Sequence, residues 1–160
     1  MKDASEKIRE YESSQLLHML RHDKEVQKMK KYIQHGTVTT YEHVKQVTRL
    51  CLYLNRRFHL GADKKSLIIG AFLHDFYLYD WHDPDPAHRL HGFSHPLRAR
   101  ENAVRFFAIG EKEQKMILSH MWPLTITRIP TSREAWILCI ADKYISTRET
   151  LFQRHKKTPA

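Results

Sequence analysis

Four histidines and two aspartates stand out in this sequence by where they fall: His43, the adjacent pair His74-Asp75, His95, His120 and Asp142. His74-Asp75 follows the apolar run LIIGAFL, and Asp142 lies inside the equally apolar WILCIADKYI. Burying an imidazole or a carboxylate in such surroundings costs free energy unless the group is paired or holds a metal. Taken singly, each histidine reads as a hydrogen-bonded core residue and Asp142 as half of an ion pair. Taken in order, His, His-Asp, His, His, Asp fall on five successive helical segments and read as one site. Imidazole and carboxylate together suit Fe, Mn, Zn, Ni or Co. Asp75 has two oxygens and can bridge two ions roughly 3.5–4 Å apart, a spacing that can hold a hydroxide and clamp a phosphate.

Composition supports this emphasis on imidazole. The chain carries 12 histidines and only 2 cysteines in 160 residues, with no contiguous histidine run that would indicate a tag. Cys51 and Cys139 sit among apolar neighbours and are expected to be reduced core residues. The formal charge of +9 favours an anionic partner. No nucleic-acid-binding motif accompanies it, which argues against DNA or RNA. No apolar run is long enough to span a membrane, and MKDASEKIREYESS lacks the apolar stretch of a secretory signal. The expected compartment is the cytoplasm.

The elements that must position these residues read as helices. Apolar residues recur at helical spacing in Ser13–Arg21 and again in Val26, Met29 and Ile33, a stretch capped by Asp23 and stopped at Gly36. Thr39 or Thr40 caps a third helix through Val44, Val47, Leu50, Cys51, Leu54 and Phe58, closed by Gly61. Asp63 caps a fourth that leads to His74-Asp75. Ser94 precedes His95-Pro96 as a cap with proline in the first turn, and that helix runs to Gly110. Another spans Glu111–Met121. The last opens at Thr131 with a Thr-x-x-Glu134 capping box. Gly70, inside the fourth helix, is expected to permit close packing. Alternation is nearly absent outside Leu124–Ile129, the one candidate strand. The expected class is all-α, a bundle of about six to seven helices. A single domain of 1–160 is expected, with the metal-site core at about 40–147, N-terminal helices over 1–36 packed on it, and a frayed tail over 152–160. The long irregular stretch Tyr79–Phe93 is of the kind that usually serves function.

The segments TYEHVKQV, GAFLHDFYLYDWH, HGFSHPLRA, ILSHMWPLT and IADKY resemble the HD superfamily of metal-dependent phosphohydrolases over about Thr40 to Thr147. The resemblance implies the helical HD bundle. It implies a core metal set of His43, His74, Asp75 and Asp142, with His95 and His120 added as in members that hold two metals. Asp75 and His74 are then the catalytic pair. Dinuclear relatives include dinucleoside tetraphosphate hydrolases, cyclic-di-GMP phosphodiesterases and di-iron inositol oxygenases. Many phosphodiesterase members carry a lysine soon after the His-Asp pair. Here the chain continues Phe76-Tyr77-Leu78-Tyr79, which argues against cyclic-di-GMP hydrolysis.

The expected activity is hydrolysis of a phosphomonoester, phosphodiester or nucleotide by a metal-bridging hydroxide. The expected cofactor is a pair of divalent ions, iron first, with Mn, Zn, Ni, Co or Mg as alternatives. The expected partner is a small phosphorylated metabolite or nucleotide. Arg98, one turn after His95, is the candidate catalytic cation for bidentate phosphate binding. Trp81, His82, Lys143 and Ser146 complete the candidate substrate-binding set. Lys143 ranks lower because an ideal helix points it away from Asp142. His88 and His91 read as loop histidines, and His18, His22, His35, His59 and His155 as surface ones. Two other functions compete: a di-iron oxygenase of the HD type, and a non-catalytic binding module on the same scaffold. The oligomeric state carries no signal.

Overall fold

The computed structural model describes residues 4–83 and 90–156. Its described residues form seven α-helices, a short 3-10 turn and one two-stranded ladder, an all-α bundle. Helix α1 (Ala4–His22) starts well before Ser13. Its first turns are polar, and polar helix formers give no apolar stripe to read. Asp23 caps the next helix, accepting from the amides of Glu25 at 2.8 Å and Val26 at 3.1 Å. That helix, however, is only α2 (Lys24–Gln27), continued by a 3-10 turn over Lys28–Lys31. The expected helix to Gly36 gives way to a hairpin of β1 (Ile33–His35) and β2 (Val38–Thr39), antiparallel, with Ile33 opposite Thr39. Gly36 sits at φ +57 in its turn, a conformation glycine adopts without a Cβ penalty.

Thr39 caps α3 (Thr40–Arg57) by accepting from the Glu42 amide. Gly61 does not close that helix. It stands in the connection to α4 (Lys64–Leu73) at φ +67, where the Asn55 side chain clamps both backbone groups of Ala62. Asp63 caps α4 by accepting from the amides of Lys65 and Ser66. Helix α4 is buried on nearly every side, because α1, α3, α6 and α7 all pack on it. Phe72 and Leu67 lose all exposure there, each worth roughly 1.5–3 kcal/mol of burial. A Cβ at Gly70 would collide with the Met116 side chain of α6 (Glu111–Ser119), so Gly70 does permit a close helix contact.

Helix α5 (His91–Phe107) begins three residues before Ser94, with Leu90 at φ +62 in the cap position and Pro96 in its interior. Helix α7 (Arg133–Lys156) is capped by Ser132, which accepts from the Ala135 amide at 3.1 Å. The capping box at Thr131 therefore does not form. Glu134 instead accepts the Asp63 amide at 2.7 Å and ties the start of α7 to the start of α4. The helix also runs to Lys156, through most of the expected tail. Leu124–Ile129 forms turns and no strand, with Ile126 and Ile129 exposed and no strand beside them. Cys51 and Cys139 are free and buried. Among the described residues, no helix is long and apolar enough to cross a membrane.

Candidate metal centre

The bundle brings the six chemistry-bearing side chains to one buried point. His43 comes from the first turn of α3, His95 from α5 and Asp142 from α7. His74-Asp75 and His120 occupy the turns that end α4 and α6. All six are at most 6% exposed. Asp75 lies at the centre with its two oxygens turned in different directions. Its Oδ2 is 3.6 Å from His43 Nε2 and 3.4 Å from His74 Nε2. Its Oδ1 is 3.2 Å from His95 Nε2 and 3.6 Å from His120 Nε2. Asp142 Oδ1 closes the first side, 3.1 Å from His43 Nε2 and 3.5 Å from His74 Nε2.

The tautomers are set by the outward-facing nitrogens. The Nδ1 atoms of His74, His95 and His120 donate to the carbonyls of Ala71, His91 and Ile117, at 2.9, 2.8 and 2.6 Å. Carbonyls only accept, so each neutral ring directs an Nε2 lone pair inward. His43 Nδ1 donates to Glu149 Oε2 at 2.9 Å, a carboxylate–histidine pair of the kind that orients metal ligands. Gln46 in turn donates to the other oxygen of Glu149. The interior is thus crowded with acceptors. His95 Nε2 and His120 Nε2 face each other at 3.0 Å, and His74 Nε2 and Asp75 Oδ1 are buried without a hydrogen-bond partner. Imidazole nitrogens and carboxylate oxygens converging on one buried point, two of them unpartnered, are what a cation site requires. Three overlapping triads of these residues have ligand atoms close enough to share an ion: His43-His74-Asp75, His74-His120-Asp142 and Asp75-His95-His120.

Protonation of the metal-free site reflects the same crowding. Burial alone would lower His43, but hydrogen bonds to Asp142 and Glu149 outweigh it and raise the imidazole to about 9. His74 also rises well above its ordinary range, against its burial, under the charges of Asp75 and Asp142. Asp75 and Asp142 stay well below the usual carboxylate range despite burial, held there by His74 and His95 and by His43 and His74 respectively. His120 goes the other way, to about 3, because burial strips its solvation and His74 and His95 repel its proton. Protons on His43 and His74 therefore stand where one cation would, beside a second group of rings that stays neutral at His120.

The model of the HD domain matches residues 40–147. The chain belongs to the HD-domain family. No curated protein and no solved structure matches it. HD domains form a metal-dependent, hydrolase-type superfamily, and the adjacent His74-Asp75 lies inside the matched span.

A cleft of about 620 Å³ opens onto the HD site. Asp75, His95, His120 and Asp142 form its floor, and Trp81, Gly92, Met121, Pro123 and Leu124 form its less polar wall. Lys143 and Ser146 line it too. Lys143 turns back along α7 so that Nζ donates to the carbonyl of His120 at 2.9 Å, which brings it closer to the site than an ideal projection suggests. Ser146 donates to Asp142 Oδ1 at 3.2 Å. Arg98 is exposed on α5 and is not among the lining residues. His82 is also exposed and outside the lining, paired with Asp80 at 3.1 Å. His88 lies outside the described residues.

Two histidines expected in a loop and on the surface belong to this cleft. His91 opens α5, stacks on His95 with centroids 4.5 Å apart, and bonds the Tyr79 hydroxyl through Nδ1. His35 is half-buried in the hairpin, with its ring edge-on to His43. His18, His22 and His59 are exposed. Sequence reasoning also missed Glu149 and Gln34. Glu149 lies seven residues after Asp142 on the same helix, so extending that buried stripe would have found it. Gln34 carried no such signal, because its segment reads as helix.

Proposed function

We propose that this HD domain is a dinuclear metal-dependent phosphohydrolase acting on a phosphate ester or anhydride of a small metabolite or nucleotide. The observation that carries the reading is the divided carboxylate of Asp75, one oxygen toward His43 and His74 and the other toward His95 and His120. His43, His74, Asp142 and Asp75 Oδ2 would hold one ion. His95, His120 and Asp75 Oδ1 would hold the other, which leaves the second position more open to the cleft. When bound, two such ions supply a water-derived nucleophile at neutral pH and polarise a phosphoryl oxygen. The protein's own groups position and shield. The carbonyls of Ala71, His91 and Ile117 fix three ring tautomers, Glu149 fixes the fourth, and Ser146 steadies Asp142. Lys143 places a cation at the cleft wall, where substrate phosphate would lie beside the ligands. The wall of Trp81, Met121, Pro123 and Leu124 would cover the substrate's less polar part and limit water.

The test is a substrate screen on protein loaded with Fe²⁺ or Mn²⁺, using phosphomonoesters, phosphodiesters and nucleotides. Release of phosphate or nucleotide that depends on metal and disappears in Asp75→Ala is expected. Full metal occupancy with no hydrolysis, or a mixed-valence EPR signal with oxygen uptake, would contradict the reading and favour oxygenase chemistry on the same ligands.

A further inference from the structure

Division of one carboxylate between two ions requires that it not rotate. The four imidazoles stand 3.2–3.6 Å from the Asp75 oxygens, and a closer contact, 2.7 Å, comes from a side chain outside the six ligands. We propose that Gln34, on the hairpin ahead of α3, is the positioning residue that fixes the Asp75 carboxylate and thereby sets affinity at the second metal position. This rests on the dinuclear reading above.

The side chain of Gln34 is buried and its Nε2 donates to Asp75 Oδ2 at 2.7 Å. The amide is itself held from the other end. Tyr77 donates its hydroxyl proton to Gln34 Oε1 at 2.5 Å, and Thr40 Oγ1 lies 3.3 Å from the same oxygen. A phenol has a proton to give and an ionised carboxylate has none, so the amide oxygen must face Tyr77 and its NH₂ must face Asp75. The hairpin is anchored in turn, because the Thr40 amide donates to the Tyr32 carbonyl at 2.8 Å. Asp75 is therefore clamped by a chain of contacts from the hairpin, from the first residue of α3, and from the segment after α4.

The clamp acts unequally on the two positions. It takes one lone pair of Oδ2 and leaves Oδ1 without a hydrogen-bond partner, aimed at His95 and His120. The first position has three other ligands, His43, His74 and Asp142, each fixed by its own helix. The second has only two. A freely turning Asp75 would cost the second position a third of its protein ligands and the first only a quarter. Partners of this kind are worth about 10–100-fold in metal affinity.

The experiment titrates Mn²⁺ into the metal-free full chain by calorimetry, following the same samples by EPR, in which an isolated ion and a coupled pair differ. Gln34→Met keeps the side-chain length and removes the donor. Weakening of the second binding event by about 10–100-fold is expected, with the first near native and the coupled-pair spectrum delayed to higher Mn²⁺. Tyr77→Phe should shift the second event the same way by less, and should add nothing to Gln34→Met. Native affinity at both positions in Gln34→Met, a loss confined to the first position, or additive effects of the two substitutions would overturn the proposal. If Gln34→Met fails to fold, Tyr77→Phe alone decides, since it leaves Gln34 in place. A native chain that takes up a single ion contradicts the dinuclear reading instead. A native chain with two ions and an unchanged Gln34→Met contradicts this inference alone.

Discussion

Metal entering the first position should have to displace protons. His43 in the metal-free protein is raised to about 9. At pH 7 its ring is then protonated by about a hundred to one. Apparent affinity at pH 7 should lie about a hundredfold below its limit, climbing roughly tenfold per pH unit until about pH 9. His74, raised in the same direction, steepens the climb. The second position should respond less, because His120, lowered to about 3, has no proton to lose at neutral pH. Competition against a chromophoric chelator between about pH 6 and 9 reads the slope, and titration in buffers of different ionisation heat counts the protons released. Stability carries the matching sign. An imidazole raised from 6.5 to about 9 stabilises the metal-free fold fully below 6.5 and loses that contribution as pH rises through about 9. The depressed Asp75 and Asp142 contribute above 3.8 and lose that contribution as pH falls through their lower folded values. Metal-free protein should therefore melt lower at about pH 9 than at 6.5, and bound metal should remove the difference. Affinity at the first position that is flat across this range, with no proton release, would refute the reasoning.

His120→Ala should keep about one ion per chain and lose most turnover, because water activation at neutral pH needs both ions; two retained ions, or full activity with one, would make His120 a core histidine. Glu149→Ala should weaken the first position by about 10–100-fold, measured by the same chelator competition, since it removes the acceptor that orients His43. Asp63→Ala removes two capping bonds at the start of α4 and should cost about 1 kcal/mol in urea unfolding, with metal stoichiometry unchanged.

The buried histidine–aspartate cluster was legible in the sequence because a polar residue inside an apolar helix must be paired or bind an ion to be stable there. LIIGAFL leading into His74-Asp75, and Asp142 within WILCIA, announce a buried polar requirement whatever the packing. Helix starts at Asp23, Thr39 and Asp63 were equally plain, each short polar side chain accepting from amides in the first turn after it. The hairpin was not. Val26, Met29 and Ile33 continue a helical stripe on paper, but the chain tightens into a 3-10 turn after Gln27 and reverses at Gly36. The false stripe hides Gln34 and His35 together. Projection on an ideal helix also fails for Lys143, whose flexible stem lets Nζ reach back to the His120 carbonyl. Periodicity reports backbone faces and leaves open where a long side chain ends.

A dinuclear centre requires that Asp75 join two ions. Anomalous diffraction from crystals grown with Mn²⁺ would locate them directly. Two peaks about 3.5–4 Å apart are predicted, one beside Oδ2 of Asp75 with His43, His74 and Asp142, the other beside Oδ1 with His95 and His120. A single peak at saturating Mn²⁺, with no density between the His95 and His120 rings, would contradict it.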